Sequence, residues 1–151
     1  MSRVDYRDTF TDHEFEQLSL GLVPQQMEDK WFIYFDGLTA HLHRSWTGQH
    51  VYRIDFAPEP GGFTVAQAWV ATHAAQGQLD AALLRFLLRG LVLGQDVPFP
   101  VPHDVDVEQE PVFKHALVGQ QPGATVAVAP SSWLIRVRRR LALLRRSLRR
   151  R

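Results

Sequence analysis

The chain has 151 residues, 45% hydrophobic and 22% charged, with no cysteine, so disulfides, thiolate metal sites and cysteine nucleophiles are excluded and one domain with a tail fits the length. The net charge of +1 hides an acidic body and a basic end: residues 1–130 carry eight Lys and Arg against sixteen Asp and Glu, and residues 131–151 carry nine Arg and no acid. No apolar run approaches the roughly 20 residues of a transmembrane helix, and the first residues lack the apolar core of a signal peptide, so the expected location is cytoplasmic, or membrane-peripheral through the tail.

Residues 12–19 predict a short helix with Asp12 as N-cap and Phe15 and Leu18 on one face, closed off by Pro24. From Lys30 the pattern changes. Trp31 to Phe35 is an aromatic and β-branched run, Asp36-Gly37 predicts a two-residue type I′ hairpin, and further strands follow at Leu38–Ser45, Gln49–Phe56 and about Phe63–Val70. No helical stretch separates them, which predicts an antiparallel meander.

A loop of Trp46-Thr47-Gly48, with Gly48 in the left-handed region, opposes Ser45 to Gln49, His43 to Val51 and His41 to Arg53. That register gathers Trp31, Ile33, Phe35, Ala40, Leu42, Tyr52, Ile54 and Phe56 on one face, interrupted only by Arg44 and His50. The opposite face, with Phe32, Tyr34, Thr39, His41, His43, Ser45, Val51, Arg53 and Asp55, is mixed aromatic and polar and suits a ligand or partner as well as a solvated sheet surface.

Residues 79–93 predict the main helix, with Asp80 in its first turn, Arg85 and Arg89 as a polar stripe and Gly94 as its C-terminal glycine. Residues 97–102 read as polyproline-like chain able to pack Phe99 across the domain edge. Residues 103–130 read as an acidic linker or an added hairpin. Residues 131–151 predict an amphipathic helix with Leu134, Val137, Leu141, Leu144 and Leu148 on one stripe and arginines elsewhere, a candidate for an anionic membrane or nucleic acid.

The expected architecture is therefore α+β: a four-stranded antiparallel meander packed on one main α-helix, with a short N-terminal helix and a basic C-terminal one. The domains are 1–102 as the body, 103–130 as linker or hairpin and 131–151 as the Arg-rich helix.

The chemistry centres on His43-Arg44-Ser45-Trp46-Thr47-Gly48. Arg44 and backbone N–H groups suit a phosphate, and Trp46 suits stacking on a base or ribose; the same residues also serve a hairpin end by geometry alone. Lys30, His43, Arg44, Ser45, Trp46, Thr47 and Arg53 form the candidate ligand-binding set. A metal site from His41, His43 and His50 is set aside, because the register turns His50 to the other face and leaves a two-His half-site with Asp55 distant. No catalytic spacing, phosphate loop or dinucleotide glycine motif is present in the sequence, so no catalytic residue, metal or cofactor is assigned.

Met27-Glu28-Asp29-Lys30-Trp31-Phe32-Ile33-Tyr34, then Leu42-His43-Arg44-Ser45-Trp46-Thr47-Gly48 and Val51-Tyr52-Arg53, resembles a small bacterial domain with a DKWF-Y…HRSWTG signature, over about residues 22–100. Such domains occur alone or beside ADP-ribosylglycohydrolase or macrodomain-like modules. The resemblance implies a neighbourhood of ADP-ribose turnover and an ADP-ribose-like ligand or protein partner. The chain has neither the length nor the paired acidic metal ligands of the glycohydrolase, so that activity is not carried over. The expected function is a non-catalytic accessory binding domain. The rivals are a small enzyme on ADP-ribosylated or nucleotide substrates, with His43 as general base and Arg44 on a phosphate, and a membrane- or nucleic-acid-associated protein acting through residues 131–151.

Overall fold

The computed structural model describes residues 1–26 and 28–100. The linker or hairpin at 103–130 and the helix at 131–151 lie outside the described residues. The elements are β1 (Ser2–Val4), β2 (Thr9–Thr11), α1 (Asp12–Ser19), β3 (Trp31–Asp36), β4 (Thr39–Arg44), β5 (His50–Glu59), β6 (Gly62–Val70), a 3-10 turn (Thr72–Ala74) and α2 (Leu79–Arg85), which continues as a π-helix over Phe86–Val92.

The fold is α+β with one antiparallel sheet, of six strands instead of four. The order is β1-β6-β5-β4-β3, and β2 also pairs with β6. The two additional strands lie along one edge of β6, β1 against Ala68–Val70 and β2 against Gly62–Thr64. At three residues each they are too short to show alternation in the sequence.

The first hairpin turns one residue later than Asp36-Gly37. Asp36 faces Thr39, so Gly37 and Leu38 form the loop. Gly37 has φ +62°, and no non-glycine residue among those described has positive φ. A positive φ at the first loop position alone belongs to a type II′ turn, not type I′. The change displaces each strand by one residue in opposite senses, so every side chain keeps its face. Trp31, Ile33, Phe35, Ala40, Leu42, Tyr52, Ile54 and Phe56 are all at most 5% exposed.

The second hairpin departs further. Gly48 does have φ +67°. However, Arg44 N–H donates to Gln49 O (2.9 Å) and Gly48 N–H to Arg44 O (2.8 Å), which makes a four-residue loop of Ser45–Gly48. Ser45 cannot pair with Gln49 because its N–H donates to Lys30 O and its hydroxyl to Asp29 O. The irregularity moves into β5. His41 faces Arg53 and Leu42 faces Tyr52, but His43 faces His50, leaving Val51 as the extra residue of a bulge. Val51 therefore turns inward and is buried, and His50 turns outward.

Pro58 fits inside β5 because Phe56 N–H already points to Leu38 O on the β4 side. Two residues on, Pro58 would aim its missing N–H the same way, past the start of β4 at Thr39.

The helices bury their apolar residues in one cluster with the inner face of the sheet. Phe15 of α1 stacks on Phe63 at 4.0 Å and meets Phe56 and Phe35 edge-on. Leu83, Leu84, Leu87 and Leu88 are at most 2% exposed. The N-cap of α1 is Thr11, one residue before Asp12; Thr11 and Glu14 form a reciprocal capping box. The expected helix 79–93 is α only to Arg85. Beyond it the wider π turn closes over the Phe86 ring at Gly90, where a Cβ would come within 3.3 Å of that ring. Gly94, at φ +68°, follows the last turn, and Phe99 packs edge-on against Phe86 at 5.0 Å.

Candidate functional site

The predicted site residues divide among three places. Along a strand, successive side chains point to opposite faces, so His43 and Arg44 separate. Arg44 turns to the inner side of the sheet, where its guanidinium lies over the Trp31 indole, 4.9 Å from the ring centroid. His43 turns to the outer side, among Tyr34, Phe32 and His50. A mechanism with His43 as base and Arg44 on a phosphate needs both on one substrate, and the sheet lies between them.

Ser45, Trp46 and Thr47 form the end of the second hairpin, and Lys30, just before β3, lies beside it. Lys30 Nζ sits 4.9 Å from the Trp46 ring centroid, the Ser45 hydroxyl holds the Asp29 carbonyl, and Thr47 Oγ1 accepts from Gln49 N–H at 3.2 Å. Ser45 and Thr47 thus spend their hydroxyls on the loop. Trp46 is 62% exposed. Arg53 belongs to the outer face and pairs with Asp55 (3.1 Å), which also accepts from Thr39.

Arg44 opens onto a cleft of about 300 Å³ at one end of the inner sheet face. Trp31, Val51, Tyr52 and Leu83 supply its apolar lining, and Arg44, Gln49, His73 and Gln76 its polar groups. Burial lowers the Arg44 pKa, an effect that the neighbouring Tyr52 opposes; an arginine so shifted still carries its charge at neutral pH.

One wall of the cleft is held by a buried carboxylate. Asp80, 2% exposed, accepts from the Tyr52 hydroxyl (2.6 Å) and from Gln76 N–H (2.8 Å). Burial and the bond to Asp80 raise the Tyr52 pKa well above the phenol range, so the hydroxyl stays a donor. The pair ties β5 to the loop before α2 and places Gln76 at the rim. His73, Gln76 and this use of Asp80 escaped the sequence reading. An aspartate in the first turn of a helix reads as a dipole partner, and nothing local announces a tyrosine 28 residues upstream.

The outer face holds the second group. His41 Nδ1 lies 3.3 Å from His50 Nε2, and the His43 and His50 rings stack at 4.6 Å and 12°. The expectation that His50 points away from His41 and His43 is corrected by the Val51 bulge. Burial, then repulsion from neighbouring imidazoles, lowers the pKa of His41 and of His50; Arg53 adds to both, while Asp36 and Asp55 oppose weakly at His41 and the Tyr52 backbone opposes at His50. Among the described residues no helix is long and apolar enough to cross a membrane. No family model, no curated protein and no solved structure matches the chain.

Proposed function

We propose that this chain is a non-catalytic binding module whose cleft takes a phosphate-bearing small molecule of the ADP-ribose type. The observation that carries the reading is the Arg44 guanidinium laid on Trp31 at the wall of the cleft. A planar, weakly hydrated guanidinium flanked by an indole suits a phosphate and the ribose or base attached to it. The amides of Gln49 and Gln76 add neutral hydrogen-bonding groups at the same opening. The volume lies at the lower end of the roughly 300–1,000 Å³ range of small-molecule sites, so the cleft would hold one part of an ADP-ribose molecule and leave the rest outside.

The non-catalytic reading is supported by the lining. Among the described residues, the cleft presents one imidazole, His73, and the Asp80 carboxylate behind its wall is engaged by the Tyr52 hydroxyl and the Gln76 N–H rather than turned to a substrate. The resemblance to a domain found beside ADP-ribose-processing modules is the reason to name that ligand first.

A thermal-shift series with ADP-ribose, AMP, ribose 5-phosphate and inorganic phosphate tests the reading. At ten times its Kd a ligand stabilises by about 1.4 kcal/mol, a rise of several degrees in Tm. The shift is expected to vanish in Arg44→Gln and to persist in Arg53→Gln. No shift with any of the four at millimolar concentration removes the proposal. A protein partner is the second reading, favoured by Trp46 standing 62% exposed at the hairpin end; loss of partner binding in Trp46→Ala would select it.

A further inference from the structure

The outer face of the sheet carries a constellation that the cleft does not use. We infer that His41 and His50 form a two-imidazole clip for a divalent transition-metal ion such as Ni²⁺, Cu²⁺ or Zn²⁺. Three observations carry it. The first is the separation of the nitrogens, 3.3 Å from His41 Nδ1 to His50 Nε2. Two ligands about 2.0–2.1 Å from a tetrahedral ion stand roughly 3.3 Å apart, so an ion fits between these rings with little movement of either.

The second is the state of the ring nitrogens. His43 Nδ1 lies 2.9 Å from the Gly48 carbonyl, which only accepts, so Nδ1 carries a proton, and in the neutral ring Nε2 is a lone pair. That Nε2 is buried and has no hydrogen-bond partner. His50 presents its Nε2 to His41. The His43 ring lies against His50, and a cation at the clip gives its buried lone pair a favourable field.

The third is the Val51 bulge. It sacrifices regular pairing to bring His50 onto the face of His41, and bulges recur where a side chain has to be re-aimed. Among the described residues no three His, Asp or Glu are placed to share one ion. The protein therefore supplies two ligands, and water or an incoming donor completes the shell. No proton has to leave, since His41 can carry its own on Nε2 when Nδ1 binds.

The test uses the full chain without an affinity tag, titrated calorimetrically with NiCl₂, CuCl₂ and ZnCl₂ in a non-coordinating buffer. Binding of one ion per chain is expected, weakened in His41→Asn and in His50→Asn by at least the roughly 10–100-fold that losing an outer-shell partner costs, and unchanged in His13→Asn. In the wild type, substoichiometric Cu²⁺ should broaden the NMR signals of the His41 and His50 rings before those of His73. The inference is overturned if no ion binds at millimolar concentration, if both variants bind as the wild type does, or if broadening begins elsewhere. The first of these outcomes would make the 3.3 Å contact an imidazole–imidazole hydrogen bond only. Because the cleft lies on the opposite side of the sheet, Arg44→Gln is expected to leave metal binding intact, so failure of one site is distinguishable from failure of the other.

Discussion

Two adjacent glycines separate two kinds of constraint at the level of single residues. A Cβ on Gly62 would stand 1.9 Å from the Phe10 carbonyl oxygen, because β2 is laid against β6 at that point, whereas a Cβ on Gly61 meets nothing within 4 Å and strains only a φ of +85°. Gly62→Ala is therefore expected to cost about 3 kcal/mol and Gly61→Ala about 1 kcal/mol, measured by urea denaturation. Equal costs would mean that β2 does not hold its edge position. The pair was legible in the sequence only as turn glycines after Pro58 and Pro60. Turn chemistry is local, but the reason Gly62 has no room is a strand 50 residues away. The same holds for Val51. Strict alternation sends it outward, yet Val51-Tyr52 is a consecutive apolar pair beside a polar His50, and burying both requires an extra residue in the ladder.

Legibility was better for whole elements, and the reason is parity. An error of one position in the Asp36-Gly37 turn moves both strands and leaves their faces intact, which is why the inner face was readable although the turn was not. The candidate site depended on a second register that slips by a single residue. There the reading held for Arg53 and Tyr52 and failed at His50. Helix ends follow similar logic. Thr11 rather than Asp12 caps α1 because Glu14 reaches back to the Thr11 N–H at 2.9 Å, and only position 11 stands three residues before it. Thr11→Ala is expected to destabilise by about 1 kcal/mol, with most of the loss recovered in Thr11→Ser, as read from thermal melts. An unchanged melt would show that the Glu14–Gln95 and Glu14–Arg89 contacts hold this end instead.

Across the whole described body, one polar contact ties the segment before β2 to the π-helix. Arg89 donates to both oxygens of Asp8 (2.7 and 2.6 Å), to the Thr9 carbonyl (2.6 Å) and to Gln95, and its guanidinium covers the Phe10 ring. Both side chains are largely shielded, at 16% and 14% exposed. Burial by itself would raise the Asp8 pKa. Hydrogen bonds from Arg89 and Tyr6, with the Arg89 charge, outweigh it and hold the carboxyl below its ordinary 3.8. A carboxyl depressed on folding contributes stability that is complete above about pH 4 and lost as pH falls through its lower folded value. Arg89→Gln is expected to cost about 3 kcal/mol at pH 7. The gap between wild type and variant should stay constant from pH 7 to 5 and close below pH 4, as measured by urea titration across pH. A gap that widens in acid would assign the stabilisation to another group.

The placement of β1 and β2 on the edge of β6 orders the making of the protein in time. Their partners, Gly62–Thr64 and Ala68–Val70, are synthesised some 60 residues later, and Asp8 waits still longer for Arg89. The hairpins from β3 to β6 close between near neighbours and can assemble as they emerge, but β1 and β2, made before them, are among the last to dock. Until then the flank of β6 is an open template, and a second nascent chain offers it the same short strands.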